Sequence, residues 1–192
     1  ALKDVRLPDP ERIMNNYPLE LSGGMRQRVL IAMALVNEPD FLIADEPGTA
    51  LDVTIQAQIL DLLRDLVKTR RISVLLITHN LGVIQEMTER VYIMYAGQVV
   101  ETAPTGFLFE NPKHPYTRGL LASVPHLTGG EIAEGIRGTV PDYTAVPSGC
   151  RFHPRCDNAM PICSRKKPPF TMLEPDHYVA CWLYTKQDIK NG

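Results

Sequence analysis

The sequence predicts an α/β fold: a parallel sheet with flanking helices, then a small irregular C-terminal module that carries the cysteines. Three observations predict it. Phe41–Ala44 and Ile72–Thr78 are short continuous apolar runs, the pattern of parallel strands buried on both faces. Val53–Thr69 lies between them with helical periodicity, which makes a βαβ unit. All four cysteines lie after Gly149, so they are a local feature and not a framework spread over the fold.

Bulk properties narrow the class. The chain has 192 residues, 44% hydrophobic and 22% charged, the balance of an ordinary globular protein. A net charge of −2 argues against general nucleic-acid binding. No apolar run approaches the ~20 residues that span a bilayer. The longest are Val29–Val36 and Val74–Ile77 with its flanks. The chain starts with Ala1 and has no basic segment followed by an apolar one, so it reads as a piece of a longer protein, with nothing arguing for export.

The elements follow in order. Ala1–Glu20 is polar and proline-punctuated, with a helical turn at Arg12–Met14. Gly24–Asn37 reads as a helix with apolar positions at Val29, Ile31, Ala32, Leu35 and Val36, stopped by Pro39. The strand at Phe41–Ala44 runs into Asp45-Glu46-Pro47. The Val53–Thr69 helix has Ile55, Ile59, Leu62, Leu63, Leu66 and Val67 on one face. The Ile72–Thr78 strand ends at His79-Asn80. Leu81–Met87 is a third helix with Val83, Ile84 and Met87 as its apolar side. Val91–Tyr95 and Gln98–Glu101 flank Ala96-Gly97, a hairpin turn added at the edge of the sheet. Two short helices, Thr105–Glu110 and His114–Val124, are broken by Asn111-Pro112. Pro125–Ser148, rich in Gly, Thr and Pro, reads as a linker.

Chemistry gathers at three places. Ser22-Gly23-Gly24 stands before an apolar run, so the N–H groups of a helix start are left uncovered there. They have no internal partner and carry the positive end of the dipole, which suits an anion; an ordinary serine cap is the plainer reading. Asp45-Glu46 and His79 end consecutive parallel strands and so face one edge of the sheet, where active groups sit in such folds. A terminal Asp on an apolar strand suits Mg²⁺, and a neighbouring Glu suits a base that activates water. An acidic pair capping a helix and a loop histidine are the plainer readings. Cys150, Cys156, Cys163 and Cys181 have five, six and seventeen residues between them. Four converging thiolates suit Zn²⁺ or an iron–sulfur cluster, although the short C-x₂₋₄-C spacing of zinc ribbons is absent; scattered free thiols are the alternative. Arg151, His153, Arg155, Arg165, Lys166 and Lys167 crowd them, either to offset cluster charge or as a solvated basic face.

Leu21-Ser22-Gly23-Gly24-Met25-Arg26-Gln27-Arg28 resembles the signature motif of ABC-type ATPases. Phe41–Pro47 resembles their Walker B strand with the catalytic Glu, Ala50-Leu51-Asp52 their D-loop, and Ile77–Asn80 their switch-histidine segment. The resemblance implies a partial P-loop NTPase-like sheet over 1–104. It implies that Ser22, Gly23, Gly24 and Gln27 bind ATP held by a second subunit, that Asp45 positions Mg²⁺, that Glu46 is the general base, that His79 contacts the γ-phosphate, and that Asp52 couples the two sites. Gly48 and Asn80 depart from the usual Thr or Ser and Asp. No G-x-x-x-x-G-K-[ST] occurs, and the glutamine loop and adenine-stacking aromatic are not identifiable, so this stretch alone is expected to hydrolyse ATP poorly or not at all.

Asn111–Leu121, with its His114-Pro115-Tyr116, resembles the C-terminal extension of oligopeptide/dipeptide importer ATP-binding subunits. Gly149–Cys156 with Cys163 and Cys181 resembles a four-cysteine pattern there, which implies a [4Fe–4S] cluster, or Zn²⁺ instead, within 105–192. The resemblance implies a peripheral subunit on the cytoplasmic face of a prokaryotic membrane. Its partners would be a second ABC ATPase subunit (identical or paralogous), two transmembrane permease subunits and an extracytoplasmic peptide-binding protein. A non-transport ABC ATPase and a non-enzymatic metal-binding regulatory remnant are the alternatives.

Overall fold

The computed structural model describes residues 1–123 and 135–185. The chain divides after Asn80 into two units, Ala1–Asn80 and Leu81–Gly192.

The first unit is built on capped helices and one parallel strand pair. Helix α1 (Pro10–Ile13) starts with proline behind Asp9, whose side chain accepts the Arg12 N–H. Helix α2 (Gly23–Leu35) is capped by Ser22. Strand β1 (Phe41–Asp45) leads through a turn to α3 (Val53–Arg70), capped by Asp52 and ended by Arg71 in the left-handed region. Strand β2 (Ser73–Ile77) then pairs parallel to β1, from Phe41↔Ser73 to Asp45↔Ile77. This is the expected βαβ unit. Its core comprises Ile31, Ala32 and Leu35 of α2, Leu42 and Ala44 of β1, and Ile59, Leu62, Leu63 and Leu66 of α3.

Burial of these strands differs from the expectation. Along β1 it alternates: Leu42 and Ala44 are buried, whereas Phe41 and Ile43 are 54% and 60% exposed. On β2, Leu75 and Ile77 are exposed as well. Among the described residues the sheet has two strands and is covered on one face only, so a period-2 pattern replaces burial on both faces. Val36 and Val67 also miss the core. Val36 caps the end of α2, and Val67 lies one residue, about 100°, round the helix from Leu66.

The second unit opens with α4 (Leu81–Met87) and a hairpin of β3 (Arg90–Tyr95) and β4 (Gln98–Pro104). Ala96 and Gly97 both have positive φ, 47° and 77°, the geometry whose twist matches a two-residue hairpin. Helices α5 (Thr105–Glu110) and α6 (Pro115–Ala122) follow. The expected extension of α6 to Val124, and most of the linker's first half, lie outside the described residues. Strands β5 (Phe170–Glu174) and β6 (His177–Ala180) form a second hairpin.

Two expectations change here. The β3–β4 hairpin does not edge the parallel sheet; it belongs to an antiparallel sheet of order β3-β4-β6-β5. The cysteine-bearing stretch is not a separate irregular module, because β6 pairs with β4 through Glu101↔Val179 and Thr102↔Tyr178. Phe152, between the first two cysteines, packs in one core with Val91, Ile93, Tyr95, Val100 and Leu108. Burial of that ring, edge-on to Tyr95 at 5.1 Å, ties the cysteine loop to the hairpin.

Candidate functional site

The carboxylate of Glu46 sits where β1 ends. Its backbone N–H donates to the Ile77 carbonyl at 2.9 Å, so the chain stays paired to β2 while φ turns to 46°. Left-handed backbone at a non-glycine residue is costly and collects at functional sites. The turn aims the side chain at the end of β2. Oε1 accepts the His79 N–H at 3.1 Å and lies 2.6 Å from His79 Nδ1. Oε2 accepts the Thr49 hydroxyl at 2.8 Å and the Thr78 hydroxyl at 3.5 Å. The His79 contact, then that of Thr49, holds the Glu46 carboxyl below its ordinary range. With Nδ1 turned to the carboxylate, the far nitrogen Nε2 is directed outward on a ring that is 85% exposed. Asp45 ends β1 exposed, in register with Ile77. The two strand ends therefore meet at one edge, as the sequence predicts.

The other candidates of this unit are placed by helix starts. Ser22 Oγ accepts the Met25 N–H at 3.3 Å, and the first intrahelical bond runs from the Arg26 N–H to Ser22 O. The N–H groups of Gly23 and Gly24 are thus in the first turn, where helices lack internal acceptors. A Cβ on Gly23 would lie 3.1 Å from Leu51 Cδ2, and one on Gly24 2.7 Å from Ile55 Cγ2. The glycines let the start of α2 approach the segment before α3. Gln27 follows in the second turn of α2, half-buried. Asp52 Oδ1 accepts the Ile55 N–H at 2.9 Å and caps α3. Gly48, too, is closely packed: a Cβ there would meet Gln56 Cγ at 2.4 Å.

In the second unit Cys150, Cys156, Cys163 and Cys181 line one small cavity of about 10 Å³, with His114, Phe152, His153 and Trp182. All four thiols are free. Gly149 makes this possible. At φ 67° it brings the Cys150 N–H to the Cys163 carbonyl at 2.8 Å, and a Cβ at Gly149 would lie 2.3 Å from that oxygen. Backbone N–H groups face the sulfurs: Phe152 and His153 toward Cys150, Asn158 toward Cys156, Leu183 toward Cys181, and Met160 toward Cys163 at 3.4 Å. Burial raises the Cys150 and Cys156 thiols and pushes Cys181 up to about 12. Burial thus favours the protonated form of these three thiols.

Four cysteine sulfurs lining one cavity, with backbone N–H groups facing them, are the donor types that thiolate-held metal groups use. Among the described residues, however, no group of three or more His, Cys, Asp or Glu side chains is arranged to hold a metal ion. Of the basic residues near the cysteines, His153 lines the cavity and the others do not gather on it. Arg151 donates to the Ala96 carbonyl, Arg155 donates to the carbonyls of Ile136 and Arg137, and Arg165, Lys166 and Lys167 are exposed.

Sequence reasoning missed a buried polar cluster behind this cavity. Glu101 of β4, His177 of β6 and His114 are all fully buried. Glu101 Oε1 lies 2.7 Å from His177 Nε2 and accepts the Lys113 N–H at 2.7 Å, and Oε2 accepts the His114 N–H at 2.9 Å. The signal was present: Glu101 is the one charged residue in the strand Gln98–Pro104. A buried charge needs partners, and these are the cluster.

The family described as ABC transporter matches residues 1–49, and that described as Oligopeptide/dipeptide transporter, C-terminal region, matches residues 100–163. The dipeptide transport ATP-binding protein DppD of Bacillus subtilis is 51% identical over 181 residues, 93% of this chain and 54% of the relative. The oligopeptide transport ATP-binding proteins OppD and AppD of the same organism are each 52% identical over 184 residues, 95% of this chain and 51% and 56% of theirs. The solved ATP-binding cassette MJ0796, a dimer bound to ADP and Pi, is similar at 36% identity over 54% of this chain and 44% of that one, with a TM-score of 0.47. The chain spans about half the length of the curated relatives it matches. One family is matched through the Glu46 turn and the other through His114 and Cys163, and over more than nine-tenths of its length the chain is similar to ATP-binding proteins of dipeptide and oligopeptide transport.

Proposed function

We propose that the full-length subunit binds and hydrolyses ATP to energise peptide uptake through an ABC importer. The Glu46–His79 pair at the end of two parallel strands carries the reading. Glu46 is the base: ionised by its His79 and Thr49 contacts, it takes a proton from the water that attacks the γ-phosphorus. The bond from that phosphorus to the bridging oxygen breaks, and ADP leaves with the electron pair. His79, held through Nδ1, offers Nε2 to the γ-phosphate. Asp45 positions the Mg²⁺ that accompanies ATP and draws charge from its phosphates.

Ser22, Gly23, Gly24 and Gln27 form an anion site at the start of α2 for ATP held by a second ATPase subunit, with Asp52 coupling the two sites. Two transmembrane permease subunits and an extracytoplasmic peptide-binding protein complete the assembly. The subunit is peripheral on the cytoplasmic face, in keeping with described residues that include no helix long and apolar enough to cross a membrane. Peptide as cargo is supported by the names of the relatives. The four cysteines hold a [4Fe–4S] cluster, with Zn²⁺ as the alternative; their shared cavity and its N–H donors support this. ATP hydrolysis by the full-length subunit, with peptide uptake by cells that carry it and its permeases, tests the proposal. Uptake that persists without the subunit counts against it.

A further inference from the structure

We propose that His114 is a further functional side chain of the cysteine cavity: its Nε2–H donates a hydrogen bond to a sulfur of the group that Cys150, Cys156, Cys163 and Cys181 hold. This rests on the reading of the four cysteines as iron–sulfur ligands and extends it to a residue outside the ligand set.

The geometry carries the assignment. His114 is fully buried and lines the cavity together with the four cysteines. Its Nδ1 accepts the Tyr116 N–H at 3.1 Å, so that nitrogen bears no proton. The ring is then neutral with its hydrogen on Nε2. That Nε2 has no hydrogen-bond partner among the described residues. A buried N–H without an acceptor is uncommon, and it needs an acceptor that the described residues do not supply. The same hydrogen prevents Nε2 from ligating a metal, so the atom is a donor and its counterpart is electron-rich. Thiolate and sulfide are such acceptors.

The ring is also fixed in place. The His114 backbone N–H is held by Glu101, which is itself held by His177 and the Lys113 N–H. The ring packs on Phe152, 5.8 Å between centroids, in the loop between Cys150 and Cys156. Two other lining donors are engaged: Trp182 Nε1 donates to the Lys166 carbonyl, and His153 Nδ1 pairs with the Cys150 carbonyl. A donor to cluster sulfur stabilises the more negative, reduced state and raises the reduction potential. His114 is therefore a positioning and tuning residue, not a ligand.

The test uses the full-length subunit, purified anaerobically and reconstituted with iron and sulfide. His114→Phe is expected to keep its iron and sulfide while the cluster's reduction potential shifts to more negative values, with partial return in His114→Gln. In case the variants misfold, the wild type labelled with ¹⁵N at both nitrogens of its histidine rings gives a second readout. Pulsed electron paramagnetic resonance of the reduced cluster should show one weak ¹⁵N coupling that persists in His153→Asn. An unchanged potential in a cluster-loaded His114→Phe, or no weak coupling, overturns the proposal. A strong coupling, as from a ligating nitrogen, overturns it too. A wild type that takes up no iron and sulfide removes the cysteine reading itself, and that result is visible before any variant is made.

Discussion

Glu101 Oε1 lies 2.7 Å from His177 Nε2 at the centre of the antiparallel sheet, with both side chains fully buried. The same carboxylate accepts the N–H groups of Lys113 and His114, so β4, β6 and the start of α6 meet on two oxygen atoms. Removing it by Glu101→Ala leaves His177 and two backbone donors without their acceptor. The expected loss is about 3–5 kcal/mol, read from the denaturant midpoint. Glu101→Gln, which keeps an acceptor, should lose about half as much; equal losses would show that charge, not acceptor geometry, holds the cluster.

Burial lowers the His114 pKa to about 4, against the attraction of Glu101. In the unfolded chain the ring titrates at about 6.5. As pH falls below about 6.5 the unfolded state takes up a proton that the folded state does not, so stability declines until about pH 4 and then levels off. The loss in the metal-free protein is on the order of 3 kcal/mol. Unfolding measured across that window should show a clearly flatter curve for His114→Gln; parallel curves would contradict a buried neutral ring.

Glu46→Gln in the full-length subunit should lower kcat by about 10²–10⁴, because the amide cannot take the proton of water. ATP binding, measured separately, should survive.

His79→Asn removes the first cause of the lowered Glu46 pKa. The acid limb of the kcat/KM profile should then move to higher pH, toward the ordinary carboxylate range. A limb that stays in place would separate Glu46 from the titration that limits turnover.

Gly149→Ala places a methyl 2.3 Å from the Cys163 carbonyl at a φ of 67°. The strain is backbone against backbone and cannot be relieved by a rotamer. A loss of about 2 kcal/mol or more is expected, together with weaker iron uptake by the full-length protein. Unchanged stability would mean that the Cys150 loop is free to shift.

Local signals carried much of this protein in its sequence. Ser22 before two glycines and Asp52 before an apolar-periodic run each produce a capped helix, because capping needs residues only three positions apart. Ala96-Gly97 makes its hairpin for the same local reason. The meeting of Asp45, Glu46 and His79 at one edge was legible too, since parallel strands with one crossover put their ends together.

What needed the tertiary structure was whatever depends on residues far apart in the chain. Periodicity could not tell that Phe41 and Ile43 are exposed, because the face they present depends on which layers cover the sheet. Nor could it place β6 beside β4 and make the cysteine stretch part of the antiparallel sheet, since pairing across some 80 residues leaves no periodic mark. The sequence by itself determined the helix caps, the turns, the strand ends and the grouping of all four cysteines after Gly149. Only the folded chain decided that Glu101, His114 and His177 stand behind those cysteines, because a buried polar group finds its partners through packing and not through spacing.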